Sequence, residues 1–314
     1  MKRFLFITVP AILVAVAFSE IFLRLWWDDK SASGGGAPNL VWIKRHVREN
    51  ALGLRGQLPA IEKPHGTFRI VALGDSTTYG KGIELEGNRW PELLAEMLSK
   101  RLGARVDAIN LSYPAWDTVE ERQALVENGF KFHPDIVILG YNYNDPENAT
   151  QRLEITGRAR GPAWLLFLRE RFYIADFAYQ QVMRPRNNEM FRQYIHRISS
   201  PDAPNLPEFK QAMAGIRDDC KKAGVDFAVV IFPTLTGINK NPYEFQDAED
   251  LITVELKGLG VPYVSLLPLL KGYEGRELWA SPYDPHPDEK VHKMAAEQLL
   301  PLVEPIIKSR LDKQ

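Results

Sequence analysis

Serine, asparagine, aspartate and histidine occur along this chain in an order that suits acyl transfer. Gly74-Asp75-Ser76-Thr77 follows the apolar run Arg69-Ile70-Val71-Ala72-Leu73. A β-branched run that stops at Gly-Asp-Ser reads as a buried strand presenting a serine at its C-terminal tip. In open α/β sheets that edge is where ligands bind, and a serine held there becomes a nucleophile when a base reaches it. Gly140-Tyr141-Asn142-Tyr143-Asn144-Asp145 ends another apolar run, and Asp284-Pro285-His286-Pro287 lies near the C-terminus.

Ser76 is therefore the expected nucleophile. Of the six histidines, His133 precedes a strand, which puts it at the wrong sheet edge, and His292 falls inside the last helical pattern. His286 sits on a proline-flanked loop that can be aimed back at the sheet, and it is the expected base. Asp284 is placed to hold the imidazole tautomer. Asp288 is the alternative acid, or else the N-terminal charge of the following helix. The Asn144 amide and the Ser76 backbone N–H are expected oxyanion donors. Asp75, Asp145 and Trp116 are the expected substrate contacts, and Trp116 suits either a sugar face or an acyl groove. Each residue has a plainer reading too: serine after a strand is often a helix cap, and Asn-Asp often a turn.

The elements that must position these residues are legible as short Val/Ile-rich runs at 69–73, 105–111, 135–141, 226–232 and 262–266. Helical periodicities lie between them. Trp90, Leu93, Leu94, Met97, Leu98 and Leu102 mark one helix. Thr118 with Glu121 reads as a capping box for the next. Phe209 to Cys220 and Leu251 to Leu259 mark two more, stopped by Gly224 and Gly260. The last begins after Pro287, with Pro301 and Pro305 expected to break or kink its end. Strands alternating with helices argue a parallel sheet covered on both faces. The interval 146–205 exceeds one crossover. It reads as a helical insertion, with a Pro-broken basic stretch, serving as surface packing or as a substrate wall.

The first 29 residues form a separate unit. Met1-Lys2-Arg3 is basic, and Phe4 to Trp27, if helical, spans the ~30 Å of a bilayer core. Glu20 and Arg24 interrupt it at pairing distance. Basic residues before a span keep the N-terminus cytoplasmic and export the chain beyond the span. The rival is a signal peptide cleaved after Ala15-Val16-Ala17. Residues 30–66 read as a flexible Gly/Ser linker over 30–38 and an extended approach. The domain proper, 67–310, would then make few contacts with the helix. Asn148-Ala149-Thr150 matches a glycosylation sequon. Net charge is −1 and gives no nucleic-acid footprint. The single cysteine, Cys220, lies on an apolar helix face and reads as a core thiol.

These blocks resemble the GDSL-type, or SGNH, hydrolases over roughly residues 68–300. Gly74-Asp75-Ser76 resembles the first block, Asn144-Asp145 the third and Asp284-Pro285-His286 the fifth. The resemblance implies a flavodoxin-like three-layer α/β/α fold of about five strands. It also implies esterase, lipase or O-acyltransferase chemistry on a small-molecule, lipid or polysaccharide ester, with no metal or cofactor. Two departures stand out. In the second block, Asn110-Leu111-Ser112-Tyr113-Pro114-Ala115, Ser112 stands in place of the glycine whose N–H joins the oxyanion hole. The fifth block is Asp-x-His rather than Asp-x-x-His. A catalytically silent carbohydrate- or partner-binding domain on the same fold is the competing class. A nucleotide-binding role is disfavoured, since Gly74 to Gly80 lacks the P-loop lysine.

Overall fold

Five short runs pair into one sheet, β1 (Thr67–Gly74), β2 (Arg105–Ser112), β3 (Ile136–Asn142), β4 (Asp226–Phe232) and β5 (Tyr263–Ser265). The order is β2-β1-β3-β4-β5, and each pairing is parallel. This computed structural model describes residues 2–27, 35–148, 150–153 and 161–311. Every residue of β1 is buried, as a strand covered on both faces requires.

Helices flank the sheet. In chain order they are α1 (Lys2–Trp26), α2 (Ala37–His46), the single turn α3 (Ser76–Tyr79), α4 (Trp90–Leu102) and α5 (Thr118–Glu127). There follow α6 (Ala163–Arg169), α7 (Tyr173–Ser199), α8 (Leu206–Ala223), α9 (Gln246–Leu259), α10 (Leu267–Leu270) and α11 (Glu289–Leu311). Helix α4 packs on α11, α5 packs on α8, and both pairs touch the sheet. The result is the three-layer α/β/α arrangement expected. A small antiparallel hairpin, β6 (Trp279–Ser281) with β7 (Asp284–Pro287), carries the chain into α11.

Several local expectations differ from what forms. The α5 cap is Asp117 with Glu120, one residue earlier than Thr118 with Glu121. Thr118 instead turns its hydroxyl to the Asp145 carbonyl, and Glu121 is buried. Helix α11 runs unbroken past Pro301 and Pro305, because Val303 and Ile307 beyond them are fully buried in the core. That packing outweighs the hydrogen bonds the prolines remove. Helix α7 likewise continues through Pro185.

Within the expected linker and extended approach, residues 37–46 form a helix instead. Residues 28–34, including much of the Gly/Ser segment, lie outside the described residues, as does Ala149 of the sequon. From Ala37 the chain is helical, with Pro38 in the first turn, where its missing N–H costs nothing. Trp42 is buried beneath the Arg55 guanidinium, 5.1 Å from the ring centroid. Arg55 donates to the Gly80 and Ile83 carbonyls at 2.7 Å each. Burial, and Arg89 next, draws its pKa down to about 10, so it stays charged. Arg69 in β1 similarly holds the carbonyls of Ala60 and Ile61. Two buried guanidiniums thus pin residues 47–66 to the domain.

Candidate active site

The serine is set by the way β1 ends. Gly74 has φ +153°, and a Cβ there would lie 2.2 Å from Thr78 Oγ1 and 3.0 Å from the Gly140 carbonyl. Only glycine allows that closeness. Asp75 then caps α3, its Oδ1 accepting the Thr77 N–H at 2.8 Å. Gly80 at φ +76° ends the turn. Ser76 is therefore the first residue of a one-turn helix at the C-terminal edge of the sheet. Its N–H makes no hydrogen bond within the protein among the described residues.

Ser76 Oγ lies 2.9 Å from His286 Nε2, and His286 Nδ1 lies 2.5 Å from Asp284 Oδ1. The same carboxylate oxygen accepts the backbone N–H of His286 at 3.1 Å. Asp284 is fully buried. Burial alone would raise its pKa, but His286 foremost, and then Lys81, hold it below the ordinary carboxylate range. A charged Asp284 keeps the proton on Nδ1 and leaves Nε2 free to accept from the serine. Asp288, the alternative acid, instead accepts the Val291 N–H at 3.0 Å and caps α11. His292 is buried and neutral, its Nδ1 accepting the Trp90 N–H at 3.1 Å.

Asp75 joins the serine to the asparagines. Its Oδ1 accepts from Asn142 Nδ2 at 3.2 Å, and its Oδ2 meets Ser76 Oγ at 3.3 Å and Asn144 Nδ2 at 3.5 Å. Ser76, Asn144 and His286 line one cavity of about 480 Å³. Asp75 lines it too. One wall comes from the 146–205 insertion, through Gln180, Arg184, Asn188 and Phe191 of α7. Glu147 also reaches it. Burial first raises the Glu147 pKa to about 7, against the lowering effects of Tyr194 and Arg152.

Three expected residues are elsewhere. Ser112 is inside β2, buried, with its hydroxyl bonded to Asn110 Oδ1. The next amide, Tyr113 N–H, donates to the Gly74 carbonyl. Successive strand amides point to opposite sides, so the Ser112 N–H points away from β1 and from Ser76. Ala115, three residues on, lines the cavity instead, at φ +68°, and its N–H has no acceptor among the described residues. Trp116 packs on the core and against Tyr113, 5.9 Å between ring centroids, and does not line the cavity. Asp145 is buried, accepting the Asn142 N–H at 2.8 Å. Burial, then Glu121 and Asp75, hold it well above the usual carboxylate range. It is a turn anchor, outside the cavity lining. Nothing in the spacing singled out Ala115, Lys81 or Glu147. A positive φ at alanine leaves no mark in sequence.

The model of the GDSL-like lipase/acylhydrolase family matches residues 72–294. No curated protein matches the chain by sequence. Among solved structures, the chain is similar to a two-domain esterase active on acetylated mannans, at 15% identity and TM-score 0.48, covering 77% of this chain and 50% of that one. It thus spans half the length of that esterase. It is also similar to TesA, at 14% identity and TM-score 0.47, covering 76% and 99%. A third is a putative lipolytic protein of the G-D-S-L family from Desulfitobacterium hafniense, at 13% identity and TM-score 0.45, covering 77% and 98%. With the family match running from β1 into the last helix, the chain belongs to the GDSL-like lipase/acylhydrolase family.

Proposed function

We propose that the chain is a membrane-tethered, extracytoplasmic serine ester hydrolase working through Ser76, His286 and Asp284. The observation that carries this is the unbroken chain of contacts from Ser76 Oγ through the His286 ring to the buried Asp284 carboxylate. Ser76 Oγ attacks the ester carbonyl while His286 Nε2 takes its proton. His286 returns that proton to the leaving alcohol, and an acyl-enzyme remains. Water, or the hydroxyl of an acceptor, then attacks the acyl-enzyme with His286 as base again. The Ser76 N–H, the Ala115 N–H and Asn144 Nδ2 are the donors for the oxyanion. Asp75 positions Asn144 and the α3 turn.

The tether reading rests on α1. Among the described residues, Phe6–Trp26 is long and apolar enough to cross a membrane, and its side chains are almost all exposed. Lys2 and Arg3 before it favour a cytoplasmic N-terminus.

A fluorophosphonate probe tests the chemistry. Wild-type protein is labelled at Ser76 and hydrolyses chromogenic acetyl esters; Ser76→Ala loses both while its melting temperature stays close to wild type. No labelling and no turnover in the wild type would leave the silent binding domain as the better account, and either one retained by the alanine variant would overturn Ser76 as the nucleophile.

A further inference from the structure

The expected independence of the N-terminal helix from the domain does not hold. Glu20 of α1 accepts the first two N–H groups of α7, from Tyr173 at 3.1 Å and Ile174 at 3.0 Å, and also the Arg24 Nε–H at 2.8 Å. An anion at a helix N-terminus is favoured by the unsatisfied N–H groups and the helix dipole. Arg24 donates to the Arg171 carbonyl at 2.9 Å and lies 4.9 Å from the Tyr173 ring centroid. Trp27, just past α1, is buried against Phe177 and Tyr283, with centroids 5.1 and 5.0 Å away. Tyr283 lines the active-site cavity.

These contacts fix the height of the α6–α7 junction along α1. Glu20 is six residues before Trp26, or about 9 Å along the helix axis. Residues 171–174 therefore sit level with the last two turns of the apolar helix. Trp164, Phe167 and Leu168, just before them, and Phe172 among them are exposed, Trp164 by 65% and Phe167 by 52%. Four large apolar side chains within nine residues make a patch that a water-facing surface avoids. Arg171 lies over the Phe167 ring, 3.6 Å from its centroid, as cationic side chains do where apolar and aqueous layers meet.

We propose that residues 163–172 lie in the interfacial layer of the bilayer that α1 enters, as a second membrane contact beside the active-site cavity. The proposal rests on reading α1 as a membrane span. The occupant is lipid, because the patch is continuous with the lipid-facing helix and is held at its distal end by hydrogen bonds. The short helix α6 enters the interface with its Trp and Phe side chains, the residues that favour that layer. Through Trp27 and Tyr283, one wall of the cavity is held at the membrane surface.

Spin labels on the full chain in phosphatidylcholine–phosphatidylglycerol nanodiscs test this. Labels are introduced by Trp164→Cys, Phe167→Cys or Phe172→Cys, with Leu13→Cys as the mid-helix reference and Val254→Cys as the aqueous one. All five positions are exposed, so folding is little disturbed. The native Cys220 thiol is buried and does not compete. At 164, 167 and 172, collision with oxygen should exceed collision with a polar nickel chelate several-fold relative to position 254. Values at those sites matching 254, with position 13 in lipid, overturn the proposal and leave the tether intact. Shielding of 164 and 167 from both reagents, as a second copy of the chain would produce, also overturns it. Position 13 in water overturns the proposal and the tether together. None of these outcomes bears on the Ser76 chemistry, which the probe reads separately.

Discussion

Asp284 Oδ1 takes two hydrogen bonds from His286, one from the ring at 2.5 Å and one from the backbone at 3.1 Å. The second closes an Asx-type turn over two residues. This accounts for an Asp-x-His spacing where Asp-x-x-His is usual: Asp284 shapes the loop that aims His286. An amide at 284 keeps one accepting oxygen, loses the charge and turns the second carboxylate oxygen into an NH2 donor. Asp284→Ala, losing both, should lower kcat by about 10⁴-fold. Asp284→Asn should fall between wild type and alanine. Steady-state kinetics on one chromogenic ester compare the three. Equal losses in both variants would assign the effect to the carboxylate itself and not to the loop that Oδ1 shapes.

Asn144 Nδ2 reaches the cavity from the turn after β3, and Asp75 Oδ2 holds it at 3.5 Å. In the proposed role, as a donor to the developing oxyanion, it would contribute mainly in the transition state. Asn144→Ala should lower kcat by roughly 10²–10³-fold with little change in KM. A change confined to KM would mark ordinary substrate binding.

Asp75 caps α3 and touches both asparagines. Asp75→Ala should cost about 1 kcal/mol of stability through the lost cap. It should also lower kcat, because the serine turn and Asn144 both lose their reference point. Melting curves and kinetics on the same preparation separate the two effects. Normal kcat with lowered stability would reduce Asp75 to a cap.

His292 accepts the Trp90 N–H and must stay neutral to do so. Burial first, then Arg89 and Arg55, depresses its pKa to about 3. A histidine depressed on folding contributes stability that is full above its unfolded pKa of about 6.5 and is lost as pH falls toward 3. The melting temperature should therefore drop from pH 6 to pH 4. His292→Gln, which keeps an acceptor that does not titrate, should flatten that limb while lowering stability near neutrality. An unchanged acid limb in the glutamine variant would place the acid sensitivity elsewhere.

The sheet was readable because fully buried parallel strands need continuous apolar runs, and the runs of β1, β3 and β4 end at residues that line the cavity. That Ser76, His286 and Asp284 would come together was legible because the proposed chemistry draws its nucleophile, base and acid from few residue types, and the structure does bring the three into contact. Other features depended on distant contacts. Ser112 stood out as the apparent glycine replacement, yet the alternation of strand amides turns its N–H away, and it is Ala115, at a left-handed φ, that lines the cavity. Trp116 and Asp145 are adjacent in sequence to site residues but bury themselves in core and turn. Periodicity marks helix faces but not what they meet, so the tertiary structure decided between surface packing and a cavity wall for α7. It alone also set Glu20 on the α7 N-terminus, a contact between residues 153 positions apart. Local sequence determines which strands and turns can form. Which side chains meet is decided by how the layers close on one another.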